Sequence, residues 1–237
     1  MNCVMVLNAG EYMSANARAS IRCAARRWKA DYVEVQQNPL PHLHPCFSKA
    51  TTLLRLGHYS RIAYFDADML IRGDAPSCFE TFPEAESFYA VSDISVQRIH
   101  LHKGLGFNII NWVRQPYYSP AKSALNSSVS YERYAGIFFN GGFFICNPRF
   151  HRALFHQIEA SLPQPGHCLC QNAHYEQALL NLAVQTIAAD TLVLVDETWN
   201  YIDPDISKPL MNHYVYHFTG ANHKILKPAI TGFPWMV

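Results

Sequence analysis

Apolar and polar positions along the chain fall into runs that switch between two periods. Cys3-Val4-Met5-Val6-Leu7 is a short apolar run of the kind that makes a buried strand, and the turn Asn8-Ala9-Gly10-Glu11 follows it. Ala17, Ile21, Ala24, Ala25 and Trp28 then recur at helical spacing, with Ser14 placed as an N-cap. Tyr32-Val33-Glu34-Val35 alternates as a second strand; after the loop Asn38-Pro39-Leu40-Pro41 a helix is predicted from Phe47 to Leu56. Ile62 to Phe65 is a third strand, and Met69–Ile71 and Phe88-Tyr89-Ala90-Val91 extend the series. Strand, helix, strand, helix, strand within the first 70 residues predicts parallel pairing with helices on the faces. Residues 92 to 134 lose this regularity and carry Gly104, Gly106, Pro116, Pro120 and a Ser/Asn-rich patch, which predicts a long functional or mobile loop. Asn140-Gly141-Gly142 then separates two apolar runs, and glycines there signal a bulge or a close approach of the backbone. Helices are predicted from Pro148 to about Ser161 and from Tyr175 to Thr186, and strands at Thr191–Val195 and Tyr214–Phe218. Gly220 to Val237 reads as irregular.

The third strand ends in two carboxylates, Asp66-Ala67-Asp68. Side chains alternate along a strand, so the two would leave on one side with Cα atoms roughly 7 Å apart. Like charges held that close repel, and a divalent cation such as Mg²⁺ or Mn²⁺ removes the conflict. Ligands also bind at the carboxyl ends of strands in open α/β sheets. The plainer reading is that the two Asp make the turn before Met69. His217 likewise ends an apolar run, and an imidazole could complete a mixed oxygen and nitrogen site.

Composition narrows the class. With 49% apolar and 16% charged residues among 237, the chain is globular and not disordered. A net charge of +1 gives no reason to expect nucleic acid. No apolar run approaches a membrane span, and Met1 to Leu7 is too short for a signal-peptide core, so the chain is expected to begin with its first strand. Seven scattered cysteines favour reduced thiols and a cytoplasmic protein. His42-Leu43-His44-Pro45-Cys46, His100-Leu101-His102 and His167-Cys168-Leu169-Cys170 lack the paired spacing of a zinc site. Arg18, Arg22 and Arg26 form a stripe that reads as a solvated helix face, with a phosphate role as the alternative.

Together the motifs resemble the family 8 nucleotide-sugar glycosyltransferases, the group that contains glycogenin and bacterial lipooligosaccharide galactosyltransferases. Tyr64-Phe65-Asp66-Ala67-Asp68-Met69-Leu70 looks like the family's DxD motif, and Asn8-Ala9-Gly10-Glu11-Tyr12 its nucleotide-binding loop after strand one. Phe47-Ser48-Lys49 matches a lysine before the DxD strand, and Phe139-Asn140-Gly141-Gly142 resembles its FN-[AS]-G motif. Glu176-Gln177-Ala178-Leu179-Leu180-Asn181 resembles its DQ-x-x-LN helix, and His217-Phe218-Thr219-Gly220 its terminal H-x-x-G. The resemblance implies a GT-A (Rossmann-like) α/β fold: one domain, 1–237, with a mixed, mostly parallel central sheet flanked by helices. Residues 1–91 would form the nucleotide-binding half, 92–134 a variable acceptor-side segment, and 135–237 the donor-sugar half and tail.

The roles that follow are those the resemblance implies. Asp66, Asp68 and His217 hold Mn²⁺ (or Mg²⁺), and Tyr12 stacks on uracil. Leu7, Asn8, Lys49, Ala67, Asn140, Gly141, Gly142 and Gly220 line the UDP-sugar, and Glu176 and Gln177 face the sugar as the catalytic pair. Two departures stand out: Glu176 replaces the usual Asp, and the lengthened stretch after Gly220 leaves Lys224 or Lys227 as the phosphate-binding lysine, with Lys224 nearer His217. The expected activity is a retaining, metal-dependent transfer of glucose or galactose from a UDP-sugar to a glycan, lipid-linked glycan or protein acceptor. Competing readings are a haloacid-dehalogenase-like phosphohydrolase, for which Asp203-Pro204-Asp205 is a poor second acidic motif, and a non-catalytic sugar-nucleotide or glycan-binding module. Tyr117, Tyr118, Tyr131 and Tyr134 could stack on an acceptor sugar or simply pin the loop. Phe233, Trp235 and Met236 near Lys227 hint at weak peripheral membrane contact. Self-association into a homo-oligomer stays open.

Overall fold

The computed structural model describes residues 1–10, 13–93, 114–202 and 212–218. Nine strands are described: β1 Asn2–Leu7, β2 Asp31–Val35, β3 Arg61–Asp66, β4 Met69–Ile71, β5 Phe88–Ser92, β6 Phe139–Cys146, β7 Leu192–Val195, β8 Tyr201–Ile202 and β9 Val215–His217. The described helices are α1 Ala15–Arg27, α2 Ser48–Arg55, α3 Cys78–Thr81, α4 Gln115–Leu125, α5 Tyr131–Gly136, α6 Arg152–Ala160 and α7 Ala173–Ile187. Six strands form one sheet in the order β2-β1-β3-β6-β5-β7, and β4, β9 and β8 form a second, small sheet. β1 pairs in parallel with β2 and β3, and β5 with β7, while β6 runs antiparallel between β3 and β5. The sheet is therefore mixed and mostly parallel, as expected.

The apolar runs are continuous because both faces of the sheet are buried, and the two-residue period sorts their side chains into two cores. Met5, Ile62, Tyr64, Phe144 and Cys146 enter one core with α2, α4, α6 and α7. Val4, Val6, Ala63, Phe65, Phe143 and Ile145 enter the other, which α1 and the small sheet close. Ser14 caps α1 as predicted, its side chain accepting from the Ala17 amide.

β6 is one fully buried strand from Phe139 to Cys146, and the expected bulge is there: Ala90 and Ser92 of β5 pair with Phe144 and Phe139, so the irregular stretch of β6 holds Asn140-Gly141-Gly142. Other expectations need correction. Residues 114–134 are mostly helical and not a loop: Pro116 sits at the first turn of α4, where an N–H is not needed, and Pro120 is accommodated inside it. α6 begins at Arg152, four residues after Pro148. The arginine stripe is a largely solvated face, with Arg22 and Arg26 exposed, although Arg18 and Arg22 also reach Glu34. Strand polarity places the carboxyl ends of β1 and β3 and the amino end of β6 at one edge, with Leu7 opposite Asp66. The candidate chemistry collects at that edge.

Candidate active site

Asp66 is the last residue of β3, but Asp68 is not on the strand: Ala67 and Asp68 form a tight turn into β4. The turn sends the chain from the large sheet into the small one, where Met69 pairs with His217. The Phe218 amide donates to the Asp68 carbonyl at 3.0 Å, which ties this turn to the end of β9. His217 Nε2 thereby stands 3.1 Å from Asp68 Oδ1 and 3.7 Å from Asp66 Oδ2. One ligand atom from each of the three residues lies within 4.8 Å of the others, the arrangement a metal ion needs. None of the His/Cys clusters of residues 42–46 and 167–170 forms such a group among the described residues.

Asp66 divides its two oxygens. Oδ1 accepts from the Tyr64 hydroxyl and lies 3.8 Å from Lys49 Nζ, while Oδ2 faces His217. Lys49, on the first turn of α2, is buried; it donates to the Gly141 carbonyl at 3.0 Å and to Glu176 Oε2 at 3.3 Å. Burial opposes its charge, yet Asp66 and Glu176 hold its pKa above the usual lysine range. Glu176 occupies the first turn of α7, whose N-cap is Asn172. Burial pushes the Glu176 carboxyl up to about 7 against the pull of Lys49, with the nearby Asp66 charge adding to the rise. Gln177 lies beside Gly141, and Asn181 bonds both the amide and the carbonyl of Phe139, fixing α7 against β6.

The two glycines differ. A Cβ on Gly141 would meet Lys49, Leu180 and Gln177 at 3.5–3.8 Å, an ordinary contact. A Cβ on Gly142 would lie 2.5 Å from His217 Cε1 and 2.9 Å from both Asp66 Oδ2 and Asn140 Oδ1. Only Gly142 is required, and what approaches it closely is the His217 ring.

Asn8 is buried and committed internally: its oxygen accepts from the Met13 amide and its Nδ2 donates to Glu34. Asn140 likewise uses its side-chain oxygen within the protein, accepting from the Gly142 amide at 2.8 Å and from Asn200 Nδ2 at 2.9 Å. Asn200, which the sequence did not single out, also meets His217 Nδ1 at 3.0 Å. Tyr118, Tyr131 and Tyr134 pack on one another, and the Tyr117 hydroxyl accepts from Asn172 Nδ2, so these rings pin α4 and α5. Tyr12, His100 and His102, Asp203 and Asp205, Gly220, Lys224, Lys227 and the aromatic tail lie outside the described residues.

The fold is similar to that of solved glycosyltransferases. Compared with the bifunctional glycosyltransferase WbbM in its apo form, the TM-score is 0.57 at 11% identity over 98% of this chain. This chain covers 50% of WbbM, so it spans half the length of that protein. Compared with a glycosyltransferase involved in glycosylation of the major capsid of PBCV-1, the TM-score is 0.55 at 9% identity, over 94% of this chain and 95% of that one. The fold is GT-A. Identities this low speak for the fold alone. Mouse xyloside xylosyltransferase 1 matches at a TM-score of 0.48 and 12% identity, over 93% of this chain and 98% of that one, too distant to carry an argument. No protein-family profile and no curated protein matches the sequence.

Proposed function

We propose that this chain is a family 8-type glycosyltransferase that moves a hexose, glucose or galactose, from a UDP-sugar to an acceptor hydroxyl with retention at the anomeric carbon. The observation that carries the reading is the convergence of Asp66, Asp68 and His217 at the strand-end edge of a GT-A sheet. Two carboxylates and an imidazole fit Mn²⁺ or Mg²⁺. Bound there, such a cation supplies charge stabilisation to the departing nucleoside diphosphate.

The chain's own residues do the rest. Tyr64 and Lys49 hold Asp66 Oδ1, which turns Oδ2 toward the cluster. Asn140 has its Nδ2 to offer a donor hydroxyl, because its oxygen is already used twice. Gln177, beside Gly141, lies where the sugar would rest, and its amide oxygen supports positive charge at the anomeric carbon. The Glu176–Lys49 pair makes Glu176 a positioning group rather than a free nucleophile. We therefore favour attack from the leaving-group face, with the departing phosphate oxygen taking the acceptor proton. In this reading Tyr12 stacks on the uracil, Gly220 and Lys224 or Lys227 bind the donor phosphates, and the acceptor is a glycan, lipid-linked glycan or protein. A cytoplasmic setting accords with the cysteine usage; among the described residues no helix is long and apolar enough to cross a membrane.

Calorimetric titration of UDP in Mn²⁺ and in EDTA tests the reading. Binding that depends on Mn²⁺ is expected; equal affinity in EDTA overturns it.

A further inference from the structure

A run of hydrogen bonds leads from the backbone of β6 to the ring of His217, and its donors and acceptors can be assigned from one fixed end. The Gly142 amide can only donate, so the Asn140 atom that it meets at 2.8 Å is the side-chain oxygen. That same oxygen lies 2.9 Å from the Asn200 amide, which must therefore present its NH₂. Asn200 is then left with its oxygen toward His217 Nδ1, at 3.0 Å. An amide oxygen only accepts, so Nδ1 carries the proton. Reversing the Asn200 amide would set two oxygens 2.9 Å apart at one end and an NH₂ against the ring at the other. Asn200 and His217 are both buried, at 1% and 3% exposure, so water does not replace these contacts freely.

We propose that Asn200 is a positioning residue that fixes the Nδ1–H tautomer of His217 and so aims the Nε2 lone pair at the Asp66–Asp68 pair. Nε2 stands 3.1 Å from Asp68 and 3.7 Å from Asp66. In the opposite tautomer Nε2–H would donate to a carboxylate and would have no lone pair for a cation. A hydrogen bond at the far ring nitrogen is the general means by which proteins orient a ligating histidine. Here a neutral amide plays the part, held by Asn140 and through it by the strand that also carries Gly142. The proton on Nδ1 follows from the Asn200 contact alone; the bare Nε2 rests on the metal-site reading, because without a cation the Asp68 carboxylate at 3.1 Å calls for an N–H there.

The test is long-range proton–nitrogen NMR of the histidine-labelled protein in diamagnetic Mg²⁺, with His217→Gln to assign the signals. The Nδ1–H pattern is expected in the wild type and lost in Asn200→Leu. An Nε2–H pattern in the wild type, or an Nδ1–H pattern surviving in Asn200→Leu, overturns the proposal. If Asn200→Leu does not fold, the wild-type pattern decides. Mn²⁺ affinity, read by paramagnetic resonance without donor or acceptor, should fall roughly ten- to hundred-fold in Asn200→Leu. A wild type that shows the Nδ1–H tautomer yet takes up no Mn²⁺ supports the assignment and overturns the metal reading.

Discussion

Replacing Gly142 by Ala adds one methyl group at the point where three segments meet. The new Cβ would stand 2.5 Å from His217 Cε1 and 2.9 Å from Asp66 Oδ2, against about 3.4 Å at the near edge of ordinary contact. His217 must retreat by roughly 1 Å and Asp66 by roughly half that, from the difference between these distances. Metal ligands tolerate displacements of only about 0.2 Å, so both first ligands leave their places. Overpacking of this kind costs about 1–3 kcal/mol of stability, part of it offset by the smaller chain entropy of Ala. Gly141→Ala is the matched control, since its Cβ comes no closer than 3.5 Å to Lys49 Nζ. Mn²⁺ binding by paramagnetic resonance, with urea unfolding alongside, should show affinity reduced by at least about tenfold in Gly142→Ala and near wild type in Gly141→Ala. Wild-type Mn²⁺ affinity in a folded Gly142→Ala protein refutes the reasoning.

Three further outcomes are expected. Glu34 is held down to about 2, first by Arg18 and then by Asn8 and Tyr32, against the cost of burial. Its contribution is therefore present above about pH 4.5 and lost as pH falls toward 2. Glu34→Gln should cost about 2 kcal/mol at pH 7, discounted for its partly exposed arginines, and nothing near pH 2; parallel stability curves in urea would contradict this. Tyr12→Ala should weaken UDP binding by roughly 1–3 kcal/mol if the ring stacks on uracil, and unchanged calorimetric affinity removes that role. The product should keep the α configuration of the donor, and a β linkage in the proton NMR spectrum of the product refutes retention.

Much of this architecture could be read along the chain because β1, β3 and β6 are buried on both faces and so stand out as apolar runs. Asp66 and His217 were visible for the same reason, as polar residues at the ends of such runs. Other features were hidden by physics that acts across the fold. Glycines in β6 pointed to a bulge or a close approach, and both occur, but that the approaching group is the His217 ring could not be read locally. Pro116 and Pro120 marked a loop, yet a proline in the first turn of α4 costs no hydrogen bond. Lys49 and Glu176 meet across 127 residues, a pairing no local period encodes. Asn200, a single amide between Trp199 and Tyr201, carries no pattern of its own, and only the chain of donors from Gly142 reveals its part.

UDP release from a panel of UDP-sugars, with Mn²⁺ and then with EDTA, tests the central claim most directly when Asp68→Asn is run beside the wild type. Water or an added glycan serves as acceptor. Asp68→Asn removes one charge and keeps the shape of the turn, so the fold should persist. Wild type should release UDP from a UDP-hexose only with Mn²⁺, and Asp68→Asn should be slower by on the order of 10³ or more. Undiminished release by Asp68→Asn in EDTA would contradict the account.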